Sequence, residues 1–355
     1  MQYVYDLLDL DRHAGARVGG KNANLGELLR SGIRVPPGFA LTVDGYQRFL
    51  EATGLRREIH RLLGGLVEEK VESLDRVSAE IRRHIREAKV PEEVAAEIRT
   101  HYEALCAYSE RDDVPVAVRS SATAEDLPNA SFAGQQDTYL WVQGADEVLE
   151  SVLLCWASLY NARAISYRHA NGFLHEQVGM SVGVQKMVNS KCSGVVFTLN
   201  PQNGDVSQML IEGNWGLGET VASGEVTPDQ FRVDKISLEV NERHISHKHI
   251  ICSPDPVGRG AEILPMPAEK QDERCVTDEE LREIVRIARL IENHYGTPQD
   301  IEWAIDDDLS FPENVFIVQA RPETVWSQKK PVSVLAGKSA SELLLQRALK
   351  TIKVD

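Results

Sequence analysis

The chain has 355 residues and carries 39 Lys and Arg against 54 Asp and Glu, a formal net charge of −15. This length predicts about two domains, and the acidic balance argues against general nucleic-acid binding because no broad basic surface can neutralise phosphates. The five widely spaced cysteines predict reduced, mostly buried thiols in a cytoplasmic protein. The amino-terminal segment lacks a signal-peptide pattern, and no apolar run is long enough to cross a membrane.

The first motif is a glycine-rich run from Gly15 to Asn22 that nearly matches the phosphate loop G-x-x-x-x-G-K-[ST]. Asn22 replaces the metal-binding hydroxyl and no clear buried strand precedes the run, so a true phosphate loop is disfavoured. The glycines and Lys21, at the start of a predicted helix ending at Arg30, still suit an anion. The alternative is a plain helix start with an exposed lysine. Residues 44–110 are then predicted to be mostly helical, without chemistry.

A second polar segment follows the short apolar strand that begins at Val116 and ends in Arg119 and a run of hydroxyls. Strand ends that open into polar loops are common ligand sites. The small-residue loop 131–138 precedes a strand at 139–142. That loop either folds over a triphosphate or is a simple connection.

One long helix is predicted over 146–170, and its Arg168 suits either a phosphate or a structural salt bridge. Strands 180–188 and 193–198 are predicted to pair with each other. If the chain crosses between two lobes near Gln185, its backbone groups can face an adenine. The run after Leu210 contains a lone G-x-G, but Val221 stands where a dinucleotide fingerprint needs its third glycine, so a Rossmann site is disfavoured.

His244, His247 and His249 form a cluster for which metal binding is possible but disfavoured, since no acidic or Cys partner is close in sequence. Residues 252–276 are interpreted as a loop. A helix is predicted over 277–295, beginning with a capping box.

The richest pattern is a predicted hairpin of strands 300–305 and 315–322. Residues two apart in a strand share a face, so Asp300 and Glu302 point the same way, as do Gln319 and Arg321. Carboxylate oxygens suit Mg²⁺ and arginine suits phosphate. An ordinary amphipathic hairpin with a solvated polar face is the alternative.

Taken in order, four segments resemble the ATP-binding domain of the phosphoenolpyruvate synthase, pyruvate phosphate dikinase and rifampin phosphotransferase family. They are Gly19–Gly26, Val118–Ser121, Gly213–Glu219, and Gln299–Trp303 together with Gln319–Pro322. The resemblance covers about residues 3–326. It implies an α+β, ATP-grasp fold whose lobes close over ATP, with an N-terminal lobe at 1–187, a C-terminal lobe at 188–326 and a tail at 327–355 that is a possible partner contact.

The resemblance also implies roles for particular residues. Lys21, Arg119 and Arg321 match the family's phosphate-binding and catalytic cations, Gly134 and Thr138 match its phosphate-covering loop, and Gln185 matches its adenine-side hinge. The expected Mg²⁺ ligands are Glu302 and Gln319, with Asp300 close by.

Full-length family members carry a swivelling domain whose histidine receives the phosphoryl group. None of the ten histidines here lies in that sequence context, so the acceptor histidine is expected on a partner subunit. A separate domain of this size resembles the beta subunit of phenylphosphate synthase. That resemblance implies the conversion of ATP, phenol and water to phenylphosphate, AMP and phosphate. The alternatives are the ATP-binding domain of a phosphoenolpyruvate synthase or rifampin phosphotransferase, and a nucleotide-sensing subunit without turnover.

Overall fold

The structure is a computed structural model that describes residues 1–66, 71–123, 137–173, 178–255 and 260–326. Gly134, the rest of the predicted phosphate-covering loop before residue 137, and the tail at 327–355 lie outside the described residues. No helix in the described ranges is both long enough and apolar enough to span a bilayer. All five cysteines are free and buried, as the sequence predicts.

The fold combines helices with two large antiparallel sheets, which confirms the predicted α+β class. The helices are α1 (Gly15–Arg30), α2 (Val43–Thr53), α3 (Leu55–Gly64), α4 (Val71–Glu87), α5 (Glu92–Tyr108), α6 (Ala145–Ser158), α7 (Ala162–Ala170), α8 (Glu219–Ala222) and α9 (Asp278–Tyr295). Helices α2 to α5 occupy the region in which the sequence predicts mostly helix.

The first sheet has the strand order β1-β2-β5-β3-β4, and every neighbouring pair in it is antiparallel. Its strands are β1 (Val4–Asp6), β2 (Gly38–Leu41), β3 (Val116–Ala122), β4 (Thr138–Val142) and β5 (Met180–Lys186). Trp156 of α6 is fully buried and stacks on Phe49 of α2, with ring centroids 4.6 Å apart. Burying large apolar side chains of this kind stabilises a fold by about 2 to 3 kcal/mol each.

The second sheet has the order β13-β12-β6-β7-β8-β9 and is also antiparallel. Its strands are β6 (Ser190–Phe197), β7 (Gln208–Trp215), β8 (Asp229–Asp234), β9 (Val240–His244), β12 (Gln299–Asp306) and β13 (Val315–Pro322). Helix α9 packs on this sheet through Ile284, Ala288 and Ile291, all fully buried. The predicted capping box at its start is present: Thr277 Oγ1 accepts from the Glu280 backbone N–H, and the Glu280 carboxylate accepts from the Thr277 N–H.

The prediction that strands 180–188 and 193–198 pair with each other is wrong. β5 lies between β2 and β3 in the first sheet, and β6 lies between β12 and β7 in the second. Only residues 187–189 separate them, so the chain changes sheets within a connector of three residues. A three-residue link between strands has the length of a hairpin loop, so the local sequence does not distinguish a hairpin from a crossing between sheets. Only the distant strands that pair with β5 and β6 decide between these two arrangements.

Two further predictions are corrected. Residues 252–276 are not a plain loop, because β10 (Ile250–Pro254) pairs antiparallel with β11 (Ala261–Pro265). The predicted helix over 146–170 is two helices, α6 and α7. The break occurs where Asn161 caps α7 by accepting a 2.7 Å hydrogen bond from the Ala164 N–H.

Arg168 of α7 is fully buried and does not line the cavity described below. Its guanidinium lies over the ring of Tyr160 at 5.6 Å and donates to the Leu159 carbonyl. Of the histidine cluster, His247 pairs with Asp272, with Nδ1 and Oδ1 2.9 Å apart.

Candidate nucleotide site

The hairpin of β12 and β13 forms as predicted and sets four polar side chains on one face. Asp300 lies opposite Arg321, and Glu302 lies opposite Gln319. Directly opposed residues of an antiparallel pair project to the same side. One face of the hairpin therefore carries two carboxylates, an amide and a guanidinium.

A β-bulge interrupts this hairpin beside the polar face. The pairing passes from Glu302 opposite Gln319 to Trp303 opposite Ile317, so Val318 is the extra residue on β13. The Val318 carbonyl, which the bulge exposes, accepts a 3.2 Å hydrogen bond from Nη1 of Arg119. Arg119 lies on β3, so this bond joins the two sheets at the site.

A cavity of about 640 Å³ lies between the two sheets. It brings together eight of the nine residues that the sequence analysis singled out, with the ninth, Gly134, outside the described residues. The eight are Lys21, Arg119, Thr138, Gln185, Asp300, Glu302, Gln319 and Arg321. The connector residues Met187 and Val188 also line it, so the chain crosses between sheets along one wall.

The basic side chains reach the cavity from both sides. Lys21 extends from α1 across the first sheet, where its Nζ lies 3.5 Å from the Ser120 carbonyl. Nη1 of Arg119 lies 3.8 Å from Oε2 of Glu302, and Nε of Arg321 lies 3.4 Å from Oδ2 of Asp300. Asp300 and Glu302 thus each lie beside an arginine.

Asp300 is the most perturbed acid of the site. Burial raises the pKa of its carboxyl to about 6, although the nearby charge of Arg321 acts in the opposite direction. Its Oδ1 is buried and accepts no hydrogen bond from the described residues. A buried acceptor without a donor is costly, and a cation at this position would relieve that cost.

The oxygen donors of the hairpin suit a hard cation. Asp300 and Glu302 supply carboxylates and Gln319 supplies an amide oxygen, which matches the usual Mg²⁺ pattern of one or two protein carboxylates completed by substrate phosphates and water. Within the described ranges, no group of three or more His, Cys, Asp or Glu side chains is arranged to hold a metal ion. The donor set therefore fits Mg²⁺ only with the amide and with ligand oxygens included.

Two acids of the cavity were given no role by the sequence analysis. Glu219, the first residue of α8, has a pKa raised by burial despite the neighbouring charge of Arg119. Burial raises the pKa of Glu212 on β7, and a 2.7 Å hydrogen bond from Gln230 acts in the opposite direction. Both lie in or near the Gly-Leu-Gly-Glu motif that ends at Glu219. They are seven residues apart in sequence, and this separation does not by itself predict that they line the same site.

Comparison with known proteins agrees with the geometry. The model of the AMP/ATP-binding domain of pyruvate phosphate dikinase matches residues 15–341. A Staphylothermus marinus protein named probable phosphoenolpyruvate synthase is 49% identical over 334 residues, which cover 88% of this chain and 40% of that protein. The phosphoenolpyruvate synthase of Aeropyrum pernix is 44% identical over 337 residues, covering 88% of this chain and 41% of the relative.

The chain therefore belongs to the family of ATP-binding domains found in pyruvate phosphate dikinase and phosphoenolpyruvate synthase. It spans less than half the length of the curated relatives it matches. A solved D-alanyl-alanine synthetase A from Vibrio cholerae aligns with 94% of this chain and 68% of its own, at 14% identity and a TM-score of 0.26. A score this low adds nothing to the family assignment.

Proposed function

We propose that this domain binds ATP in the cavity between its sheets and passes a phosphoryl group to a histidine of a partner subunit. In the complete reaction ATP, the final acceptor and one water are consumed, the phosphoryl group passes through that histidine to the acceptor, and AMP and inorganic phosphate are released. The observation that carries the proposal is the convergence, in one cavity, of phosphate-suited cations from α1, β3 and β13 with metal-suited oxygens from β12 and β13. Phosphoryl transfer depends mainly on positioning and charge neutralisation, which such a set of residues can supply.

Each residue has a defined part in this proposal. Lys21, Arg119 and Arg321 neutralise the triphosphate, while Thr138 contacts it beside the loop that contains Gly134. Gln185 and the connector at 187–189 face the adenine. Glu302 and Gln319, with Asp300, would hold Mg²⁺, which supplies further charge neutralisation when bound.

The acceptor is proposed to be a histidine from elsewhere because none of the described histidines lines the cavity. The site provides cations for the leaving phosphates but no imidazole among the described residues to receive the phosphoryl group. A swivelling domain on a partner subunit would bring that imidazole, together with the site for the final acceptor.

For the final acceptor we propose phenol, with phenylphosphate as product, and keep phosphoenolpyruvate synthesis as the second candidate. The second is favoured by the relatives named phosphoenolpyruvate synthase, at 39 to 49% identity. A rifampin phosphotransferase shares the same motifs. The acceptor is recognised outside the cavity described here, so these alternatives leave the roles of Lys21, Arg119 and Arg321 unchanged.

We further propose that residues 1–187 and 188–326 are lobes that close over the nucleotide about the connector at 187–189. A site that excludes water during transfer, yet admits a histidine, needs such a movement. Support comes from the change of sheet between β5 and β6. Residues 327–355 are proposed as a partner contact, so deleting 330–355 should weaken assembly and leave ATP affinity nearly unchanged.

The proposal is tested by purifying the chain with its native partner and adding ATP radiolabelled at the β or γ position in parallel. We expect label on a partner histidine and release of AMP, with ATP consumption near background for the isolated chain. Adding phenol or pyruvate then identifies the acceptor by ³¹P NMR. A nucleotide sensor would bind ATP and label nothing, and rapid AMP production by the isolated chain would contradict the need for a partner.

A further inference from the structure

Asn22, beside Lys21, is almost fully buried, with 2% of its surface exposed, and it does not line the nucleotide cavity. It follows a kink in α1 at Gly19, where φ is 70° and ψ is 162°. Its Nδ2 donates two hydrogen bonds. One spans the kink to the Val18 carbonyl at 2.9 Å, and the other crosses to Oγ of Ser181 on β5 at 3.0 Å.

The second hydrogen bond of Ser181 determines the direction of its bond with Asn22. Ser181 Oγ donates its own proton to the Leu41 carbonyl at 2.6 Å, so it can only accept from Asn22. A primary amide has two N–H donors, and here both are used. An aspartate at position 22 would place a carboxylate against two acceptors and could form neither bond.

Gly183 of β5 provides the space that this amide occupies. A Cβ at this position would overlap Oδ1 of Asn22, and Gly183 is not among the residues with positive φ. Close approach by Asn22 therefore explains why the strand has a glycine here. At the kink itself, a Cβ at Gly19 would overlap Oγ of Ser121 on β3. The kinked end of α1 is thus held against two neighbouring strands.

We propose that Asn22 is a positioning residue, which fixes the kinked start of α1 on β5 and thereby holds the Lys21 ammonium at the phosphate end of the cavity. This inference rests on the proposed function, in which Lys21 contacts the triphosphate. Asn22 itself touches no nucleotide. Its replacement should therefore weaken only those interactions that Lys21 makes with phosphate groups.

The test compares ATP with adenosine, which lacks phosphates, by calorimetry on the full chain. Asn22→Asp should raise the Kd for ATP by about tenfold or more, the size of one lost hydrogen bond to a charged group. The Kd for adenosine should stay within about twofold. Gly183→Ala is the second variant: it displaces the Asn22 amide without adding charge, should act in the same direction, and carries the test if Asn22→Asp does not fold.

A double-mutant cycle distinguishes positioning from a general structural effect. In a Lys21→Ala background, Gly183→Ala should cause no further loss of ATP affinity, because its effect passes through the missing ammonium. Equal losses with and without Lys21, or equal losses for ATP and adenosine, would overturn the inference while leaving the proposed function intact. A Lys21→Ala variant that binds ATP like the parent would instead remove the phosphate role of Lys21, and this inference with it.

Discussion

Arg119 and Glu302 come from different sheets and face each other across the cavity, with Nη1 and Oε2 3.8 Å apart. The same Nη1 donates to the Val318 carbonyl. The cation proposed for phosphate thus lies beside the carboxylate proposed for Mg²⁺. Binding of a metal–nucleotide complex can separate these charges and give each an opposite charge in the ligand.

Replacing Arg119 with Ala should lower ATP affinity by about tenfold to a hundredfold, the range expected when a hydrogen bond to a charged group is removed. Arg119→Lys should recover only part of the loss because a single ammonium cannot replace the guanidinium fork. Calorimetric titration with ATP measures both variants. ATP affinity equal to that of the parent in Arg119→Ala would exclude contact between this arginine and the triphosphate.

Arg321 should contribute more to the rate of phosphoryl transfer than to the free energy of unfolding, since it is half exposed on the edge strand β13. Arg321→Ala should slow partner phosphorylation by on the order of 10³-fold, by analogy with arginines that neutralise a transferring phosphoryl group. Single-turnover labelling measures the rate. The exposed Arg282 of α9 supplies the matched control, since Arg282→Ala removes the same charge away from the cavity. Normal phosphorylation by Arg321→Ala would rule out its assigned role.

The raised pKa of Asp300 predicts a pH-dependent stability of the nucleotide-free chain. Its pKa is about 6 in the fold and about 3.9 in an unfolded chain. Between about pH 4 and 6 the folded state therefore binds more protons, and the free energy of unfolding falls as the pH rises.

Asp300→Asn should then be more stable than the parent chain by about 2 kcal/mol at about pH 8, and nearly equal to it near pH 4. Urea denaturation with a metal chelator measures the difference. Asp307→Asn on the exposed turn of the same hairpin makes the same charge change at an exposed position and serves as the matched control. A constant difference between parent and Asp300→Asn at all pH values would contradict the prediction.

Lys248 and Asp229, the first residue of β8, form a fully buried ion pair, with Nζ and Oδ1 2.6 Å apart. Asp229 also accepts from the backbone N–H groups of Ser246 and Cys275. Lys248→Met leaves this carboxylate without its cation and should cost about 3 to 5 kcal/mol of unfolding free energy. Adding Asp229→Asn should restore part of the loss because the stranded charge is removed.

Urea denaturation checks the single and double variants, with Arg83→Ala of the exposed pair Arg83–Glu87 as control. An exposed pair contributes less than about 1 kcal/mol. A double variant less stable than Lys248→Met would show that the charge of Asp229 is not the source of the loss.

The hairpin of the site could be predicted from sequence because its information is local. A period of two in each strand assigned Asp300, Glu302, Gln319 and Arg321 to faces before any partner was known. The bulge at Val318 could not be predicted, since it appears only when the two strands are paired. The contact of Arg119 with that bulge depends in turn on how the sheets meet.

The missed elements have equally local reasons. Pro254 and Pro265 suggested a loop, yet each lies at an end of the β10–β11 pairing, where a strand tolerates proline. The capping residue Asn161 was a readable signal for the break between α6 and α7. In contrast, the separation of β5 from β6 depends on partners far away in sequence. Paired residues of β3 and β5 are 58 to 70 positions apart, and those of β6 and β12 are 103 to 116 positions apart.

Under the proposed lobe closure, the three-residue connector would couple base binding to lobe geometry. Its first amide, Met187 N–H, is bonded to the Pro115 carbonyl, and the Asn189 carbonyl accepts from the Asp307 N–H. With both ends held, about six backbone torsions absorb any rotation between the sheets. If the nucleobase contacts this segment as proposed, its affinity should depend on the angle between the lobes. By linkage, closure strengthens base binding by the same free energy by which the bound base favours closure. Adenosine alone should therefore shift the lobes toward the closed state.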